Sequence, residues 1–155
     1  MEDLTFRSGQ GKDHLSATEE MCKYCFDVLI KELHQQRNIT TNSIQDLDSI
    51  PVGARCPLFV TWDKRKETEY TLRGCIGTLA PRELRTALSE YARISAFKDP
   101  RFRPVSLHEV PCLRVSVSLL VNYEDCENCL DWVVGVHGII INFDYRSQSY
   151  SGKLP

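Results

Sequence analysis

Residues 113 to 119 read Leu-Arg-Val-Ser-Val-Ser-Leu. Their strict alternation places Leu113, Val115, Val117 and Leu119 on one face of a strand and Arg114, Ser116 and Ser118 on the other. A strand of this kind belongs to a sheet with one covered face and one wet face, so other parts of the chain have to supply the cover. Two stretches have the helical spacing to do so. After Ser16 and Glu19, spaced as a capping box, Met21, Cys25, Val28, Leu29 and Leu33 share one helical face that ends near Gln36. After Pro81, a favourable first helical residue, Leu84, Leu88, Tyr91, Ile94 and Phe97 mark a second face that ends before Pro100.

Leu58 to Trp62 and Tyr70 to Arg73 are β-branched and aromatic runs on either side of the charged stretch Asp63 to Glu69, which predicts a hairpin with an exposed tip. Asp125 to Trp132 suits a short helix, Gly138 to Phe143 a strand, and Arg146 to Gln148 a turn. The order of helix, hairpin, helix, strand, short helix and strand predicts an α+β domain with a mostly antiparallel sheet and flanking helices. Residues 1–15 are polar and aperiodic and read as a flexible arm. Arg37 to Pro57 reads as a long connection, and residues 16–155 as one domain, which the 155-residue length allows.

The 42% apolar and 26% charged residues are ordinary globular usage. Nineteen Lys and Arg against 21 Asp and Glu leave a formal net charge of -2, so no global positive field draws the chain to nucleic acid or anionic lipid. The N-terminus lacks a basic and an apolar signal region, and no apolar run approaches a membrane span. The seven cysteines, an odd number without a secretory signal, are expected as reduced thiols in the cytoplasm or nucleus. Without secretion, the Asn38-Ile39-Thr40 acceptor pattern carries no weight.

Arg73-Gly74-Cys75-Ile76-Gly77 lies between a strand and a helix, where glycines let a backbone turn tightly and present its amides to an anion. Its thiol stands between glycines and near Arg73, a setting suited to a nucleophile, but also to a small packing residue at a bend. His137, in Val136-His137-Gly138, could act as its base or be a turn histidine bonded to backbone. Lys98-Asp99-Pro100-Arg101-Phe102-Arg103-Pro104 carries cations around prolines and suits phosphate or carboxylate; a pairing of Asp99 with Arg101 or Arg73 would instead make it a structural brace. Cys22/Cys25 and Cys126/Cys129 have the spacing of zinc ligands. Their expected helical settings argue against a metal site or thioredoxin-like redox chemistry, and no metal or cofactor is expected.

The segments Pro57 to Trp62, Leu72 to Thr78, Lys98-Asp99 with Arg101-Phe102, Val115 to Leu120, and Leu130 to Trp132 with Val134 to Ile139 occur in this order. Together they strongly resemble the AMMECR domain family, named after the AMME syndrome critical region, from about residue 16 onward. The resemblance implies a two-lobed α+β domain with a cleft and no established activity, and prokaryotic neighbours of Memo-like and radical-SAM type. It maps the family's motifs onto Arg73 to Gly77, Lys98 to Phe102 and Gly135 to Gly138. Family domains continue past a Leu-Pro matching Leu154-Pro155. The resemblance therefore implies a C-terminally incomplete domain with exposed apolar surface, and with it either instability or dependence on a partner.

Two functional readings follow. In the first, the domain is a binding module that holds a small anionic ligand or a protein partner through Arg73, Gly74, Gly77, Lys98, Asp99 and Arg101. In the second, it is a cysteine-dependent enzyme for group transfer or redox-type modification, in which Cys75 is the nucleophile, His137 handles protons and backbone amides stabilise developing charge.

Overall fold

In a computed structural model of the protein, the described residues are 15–35, 50–134 and 136–154. The expected arm (bar residue 15) and most of the expected connection, residues 37–49, lie outside them. Helix α1 spans Glu19–Gln35 and buries Met21, Cys25, Val28, Leu29 and Leu33, the five residues its periodicity singles out. Its cap is Thr18 rather than Ser16: the Thr18 hydroxyl accepts from the Met21 N–H at 3.4 Å.

Strands β1 (Arg55–Lys66) and β2 (Glu69–Glu83) form a hairpin longer than the apolar runs suggest, and β3 (Leu113–Leu119) pairs with the other side of β1. All pairings are antiparallel and the order is β2-β1-β3. Helix α2 spans Leu84–Phe97 and starts three residues later than the position of Pro81 suggests. Pro81 stays in β2, and the Glu83 carboxylate caps the helix by accepting from the Arg85 and Thr86 N–H groups at 3.3 and 2.8 Å.

Cys56, Leu58, Val60 and Trp62 of β1 pack beneath both helices. The Trp62 ring meets Phe26 of α1 edge-on with centroids 5.0 Å apart, and its indole N–H donates to the Ala92 carbonyl of α2 at 3.1 Å. Each large side chain buried in this way contributes about 1.5–3 kcal/mol relative to exposure. The buried face of α2 is Leu84, Ala87, Leu88, Ala92, Ser95 and Ala96, whereas Tyr91, Ile94 and Phe97 sit at its margins. Small residues at the contact let the helix lie close to the sheet.

A 3-10 helix at Leu107–Cys112 leads into β3. After β3 the expected helix at Asp125 to Trp132 does not form. Its polar side chains take the backbone bonds instead: Asn128 Oδ1 accepts from the Leu130 N–H at 2.9 Å and Asp131 Oδ2 from the Glu127 N–H at 3.0 Å. Strands β4 (Ile139–Tyr145) and β5 (Gln148–Leu154) form a separate two-stranded sheet. They join through Arg146 and Ser147, whose φ values of 48° and 63° give the left-handed two-residue turn that matches hairpin twist. Ile141, Phe143 and Tyr145 share one exposed face with Tyr150, which stacks on Phe143 at 5.4 Å.

Candidate functional site

Arg73 to Gly77 is not a turn but the middle of β2, and both glycines have the extended backbone of a strand. The register explains what the segment does. Trp62 pairs with Gly74 and Asp63 with Leu72, so Arg73 is the extra residue of a β-bulge. Gly74 faces the helices, where an added Cβ would lie 2.1 Å from the Ser95 carbonyl oxygen of α2. Gly77 lies opposite Phe59; a Cβ there would meet the Leu58 carbonyl oxygen at 2.2 Å and the Phe59 ring at 2.4 Å. The glycines serve close approach rather than positive φ.

Cys75 faces away from the helices, on the open side of the sheet. It lies beside Thr61, which in turn pairs with Ser116. The Thr61 hydroxyl donates to Cys75 Sγ at 3.1 Å, and the thiol is half-buried. This row of one thiol and two hydroxyls is bordered on one side by Phe59 over Gly77. On the other side Arg114 bonds Asp63 at 2.9 Å and lies 4.3 Å over the Tyr70 ring.

The backbone of Cys75 points outward from the edge of the sheet and meets the turn after α2. Its N–H donates to Asp99 Oδ2 at 2.9 Å, and its carbonyl accepts from Arg101 Nη2 at 3.1 Å. Arg101 also grips the Asp99 carboxylate in a fork, Nε to Oδ1 at 3.0 Å and Nη2 to Oδ2 at 2.7 Å. Asp99 Oδ1 further accepts from the Arg101 N–H at 3.1 Å, and the Phe102 N–H closes the turn on the Asp99 carbonyl at 3.1 Å. The Asp99 side chain is 1% exposed. The Arg101 guanidinium holds its carboxyl well below the usual range; burial opposes this, and the Cys75 and Arg101 N–H groups reinforce it. Asp99 and Arg101 thus form a structural brace. They also cap an edge strand that would otherwise expose unpaired backbone groups.

Arg73 is engaged as well. Its Nε and Nη2 donate to Oε1 and Oε2 of Glu109 at 3.0 and 3.2 Å, and Lys64 Nζ donates to Oε1 at 2.8 Å. Ser106 completes the shell, its N–H and hydroxyl donating to Oε2 at 3.0 and 2.8 Å. The Glu109 side chain is 8% exposed and that of Arg73 13%. Burial raises the carboxyl pKa of Glu109, yet the bonds from Arg73, Lys64 and Ser106 outweigh it and hold the group well below the usual range. The Phe102 ring lies between the two arginines, 6.0 Å from the Arg73 guanidinium carbon and 5.5 Å from that of Arg101.

The motifs around Arg73 and Asp99 therefore meet, and both arginines are already neutralised within the fold. Lys98 is exposed, and its N–H closes α2 on the Ile94 carbonyl. His137 finds its partners in its own segment: its Nδ1 accepts from the Val133 N–H at 3.0 Å and its Nε2 lies 3.8 Å from Glu124. Among the described residues no hydrogen bond joins it to Cys75. Gly135 lies outside the described residues. Glu109, Lys64 and Thr61 were not singled out from sequence. The Ser106-x-x-Glu109 spacing of a capping box was the available signal for Glu109, whose carboxylate accepts from the Ser106 N–H while the Glu109 N–H donates to the Ser106 carbonyl. Among the described residues no cluster of three or more His, Cys, Asp or Glu is placed to hold a metal ion. No described helix is long and apolar enough to cross a membrane.

An antiparallel sheet backed by two helices, with a bulged glycine-bearing edge strand capped by an Asp-Pro-Arg-Phe turn, defines an α+β domain built around an Arg-Gly-Cys-Ile-Gly strand. The sequence model of the family described as AMMECR1 matches residues 22–154, and the chain belongs to that family. An uncharacterised Arabidopsis thaliana protein is 41% identical over 91% of the chain and 65% of its own length. One from Schizosaccharomyces pombe is 40% identical over 86% of the chain and 66% of its own length. The chain thus spans slightly under two thirds of these relatives. The crystal structure of an uncharacterised protein from Pyrococcus horikoshii superposes with a TM-score of 0.63 at 28% identity, covering 88% of this chain and 70% of that one.

Proposed function

We propose that the chain is a binding module that recognises a segment of a protein partner on the open sheet face centred on Cys75. The observation that carries this reading is the internal pairing of Arg73 with Glu109 and of Arg101 with Asp99. A small phosphate or carboxylate would have to displace a bonded carboxylate from either arginine, whereas the row Cys75, Thr61 and Ser116 offers donors and acceptors at no such cost. Arg101, bonded to the Cys75 carbonyl, borders this surface at the strand edge, while Gly74 and Gly77 let β2 lie close against α2 and Phe59. The cysteine-enzyme reading needs a base within hydrogen-bond reach of Sγ, and the side chain bonded to Sγ is the Thr61 hydroxyl.

The test attaches a photo-crosslinker to Cys75 in a chain whose Cys126 and Cys129 are serine. Discrete protein adducts are expected that unlabelled wild type competes away and an unlabelled Ser116→Arg variant does not. The reading fails if no adduct is competed, or if phosphates or carboxylates raise Tm by several degrees in wild type but not in Arg101→Gln.

A further inference from the structure

Of the seven thiols, Cys25 and Cys56 are buried, Cys22, Cys75 and Cys112 are half-buried, and Cys126 and Cys129 are exposed. The exposed pair flanks Glu127 and Asn128, and the chain bends at both. Side chains clamp this bend. The Glu127 N–H donates to Asp131 Oδ2 at 3.0 Å, the Leu130 N–H to Asn128 Oδ1 at 2.9 Å, and the Asp131 N–H to the Asn128 carbonyl at 3.1 Å. The bends at Glu127 and Asn128 turn the chain between the two cysteines, which favours the short Cα separation that a disulfide spans, and exposure lets a second disulfide approach either sulfur.

We infer that Cys126 and Cys129 form a reversible dithiol–disulfide pair that exchanges with small-molecule disulfides of the glutathione type. One thiol gives its proton to solvent, and its thiolate attacks the small disulfide. A mixed disulfide forms and the other half leaves as a thiolate. The second cysteine, deprotonated in the same way, attacks the protein-side sulfur. The Cys126–Cys129 bond forms, the mixed bond breaks and a second small thiolate leaves. Two electrons pass from the protein pair to the small disulfide, whose two thiolates take up the two protons. Ring closure is intramolecular, at an effective concentration of about millimolar or more, so the mixed disulfide is short-lived. The ring then stiffens the segment that carries Trp132, whose indole N–H donates to the Cys129 carbonyl at 3.0 Å.

Reduced full-length chain is treated with glutathione disulfide and followed by intact mass, peptide mapping and tryptophan emission. The expected product loses two hydrogens and maps to one Cys126–Cys129 bridge before any other thiol changes. Emission changes through Trp132, because Trp62 is fully buried. Cys126→Ser, at an exposed position, should keep its far-UV circular dichroism and stop at a stable glutathione adduct on Cys129. The inference is overturned if wild type also accumulates stable adducts on these two residues. It is equally overturned if Cys75 or Cys112 is modified first.

Discussion

Gly74→Ala tests whether this glycine exists for packing or for a ligand-holding turn. The added Cβ would lie 2.1 Å from the Ser95 carbonyl oxygen and 3.2 Å from its carbon, where ordinary contact is 3.4–4 Å. Both are backbone atoms of α2, so no side chain can swing aside. Relief requires β2 and α2 to part by about 1 Å or more in a close-packed interior. Overpacking of this kind costs about 1–3 kcal/mol. The same displacement stretches the 2.9 Å bond from the Cys75 N–H to Asp99, a bond to a charged group worth about 1.5–3 kcal/mol. The combined loss is about 2.5–6 kcal/mol, a large part of the total for a domain of this size. Urea unfolding followed through the emission of Trp62 measures it, and Tm should fall by roughly 10 °C. Gly53→Ala is the control. Gly53 has φ +77° and no atom within 4 Å of an added Cβ, so only a left-handed backbone penalty of about 1–2 kcal/mol applies. A Gly74→Ala chain no less stable than Gly53→Ala would refute the packing account.

Glu109→Gln should cost about 3–5 kcal/mol in the same assay, because it leaves Arg73 buried without its anion. Folding depresses the carboxyls of both Asp99 and Glu109. Their contribution is therefore complete above the unfolded carboxylate range near pH 4 and is lost as pH falls from there toward the folded values. Glu109→Gln should show a shallower acid decline than wild type, and equal slopes would refute this. Burial pushes the Cys25 thiol up to about 12, so iodoacetamide at about pH 8 should leave it unmodified until urea unfolds the chain. Labelling of Cys25 in the folded chain at the rate of Cys126 would contradict that. Ile141, Phe143, Tyr145 and Tyr150 expose one apolar face of the β4–β5 hairpin, so the chain should enhance the fluorescence of an apolar dye, and Phe143→Ser with Tyr145→Ser should remove most of the signal. An unchanged signal would place the dye elsewhere.

The parts of this fold that repeat at a fixed period were legible in the sequence. The five buried residues of α1 and the inward face of β3 follow from spacing alone, since one side of each element meets the core. The face of α2 was only half legible, because close approach at Gly74 favours Ala87, Ala92, Ser95 and Ala96 over larger neighbours. Distance between backbones is a tertiary quantity that no periodicity encodes. Asp125 to Trp132 misled for the opposite reason: its composition suits a helix, but Asn128 and Asp131 satisfy the backbone locally. At the site, the bond between Asp99 and Arg101 was among the alternatives that the Lys98 to Pro104 segment allowed. The partnership of Arg73 with Glu109 spans 36 residues and depends on a bulge that only register reveals.

These pairings limit what recognition at β2 can use. The inner face of the strand at Gly74 is filled by α2, its outer edge at Cys75 by Asp99 and Arg101, and its bulged arginine by Glu109. What remains are side chains on the open face, which hold little of the fold together. Loss of partner binding on substituting Arg73 or Arg101 would therefore follow loss of folded protein, because each removal strands a buried carboxylate. Ser116→Arg differs in kind. Ser116 is exposed in β3, beside Thr61, and a surface substitution there should stay within about 0.5 kcal/mol of wild type. Binding lost at Ser116 with the urea midpoint unchanged would locate recognition on this face. Binding that tracks the folded fraction across all the variants would reduce the Arg73 to Gly77 strand to a purely structural role.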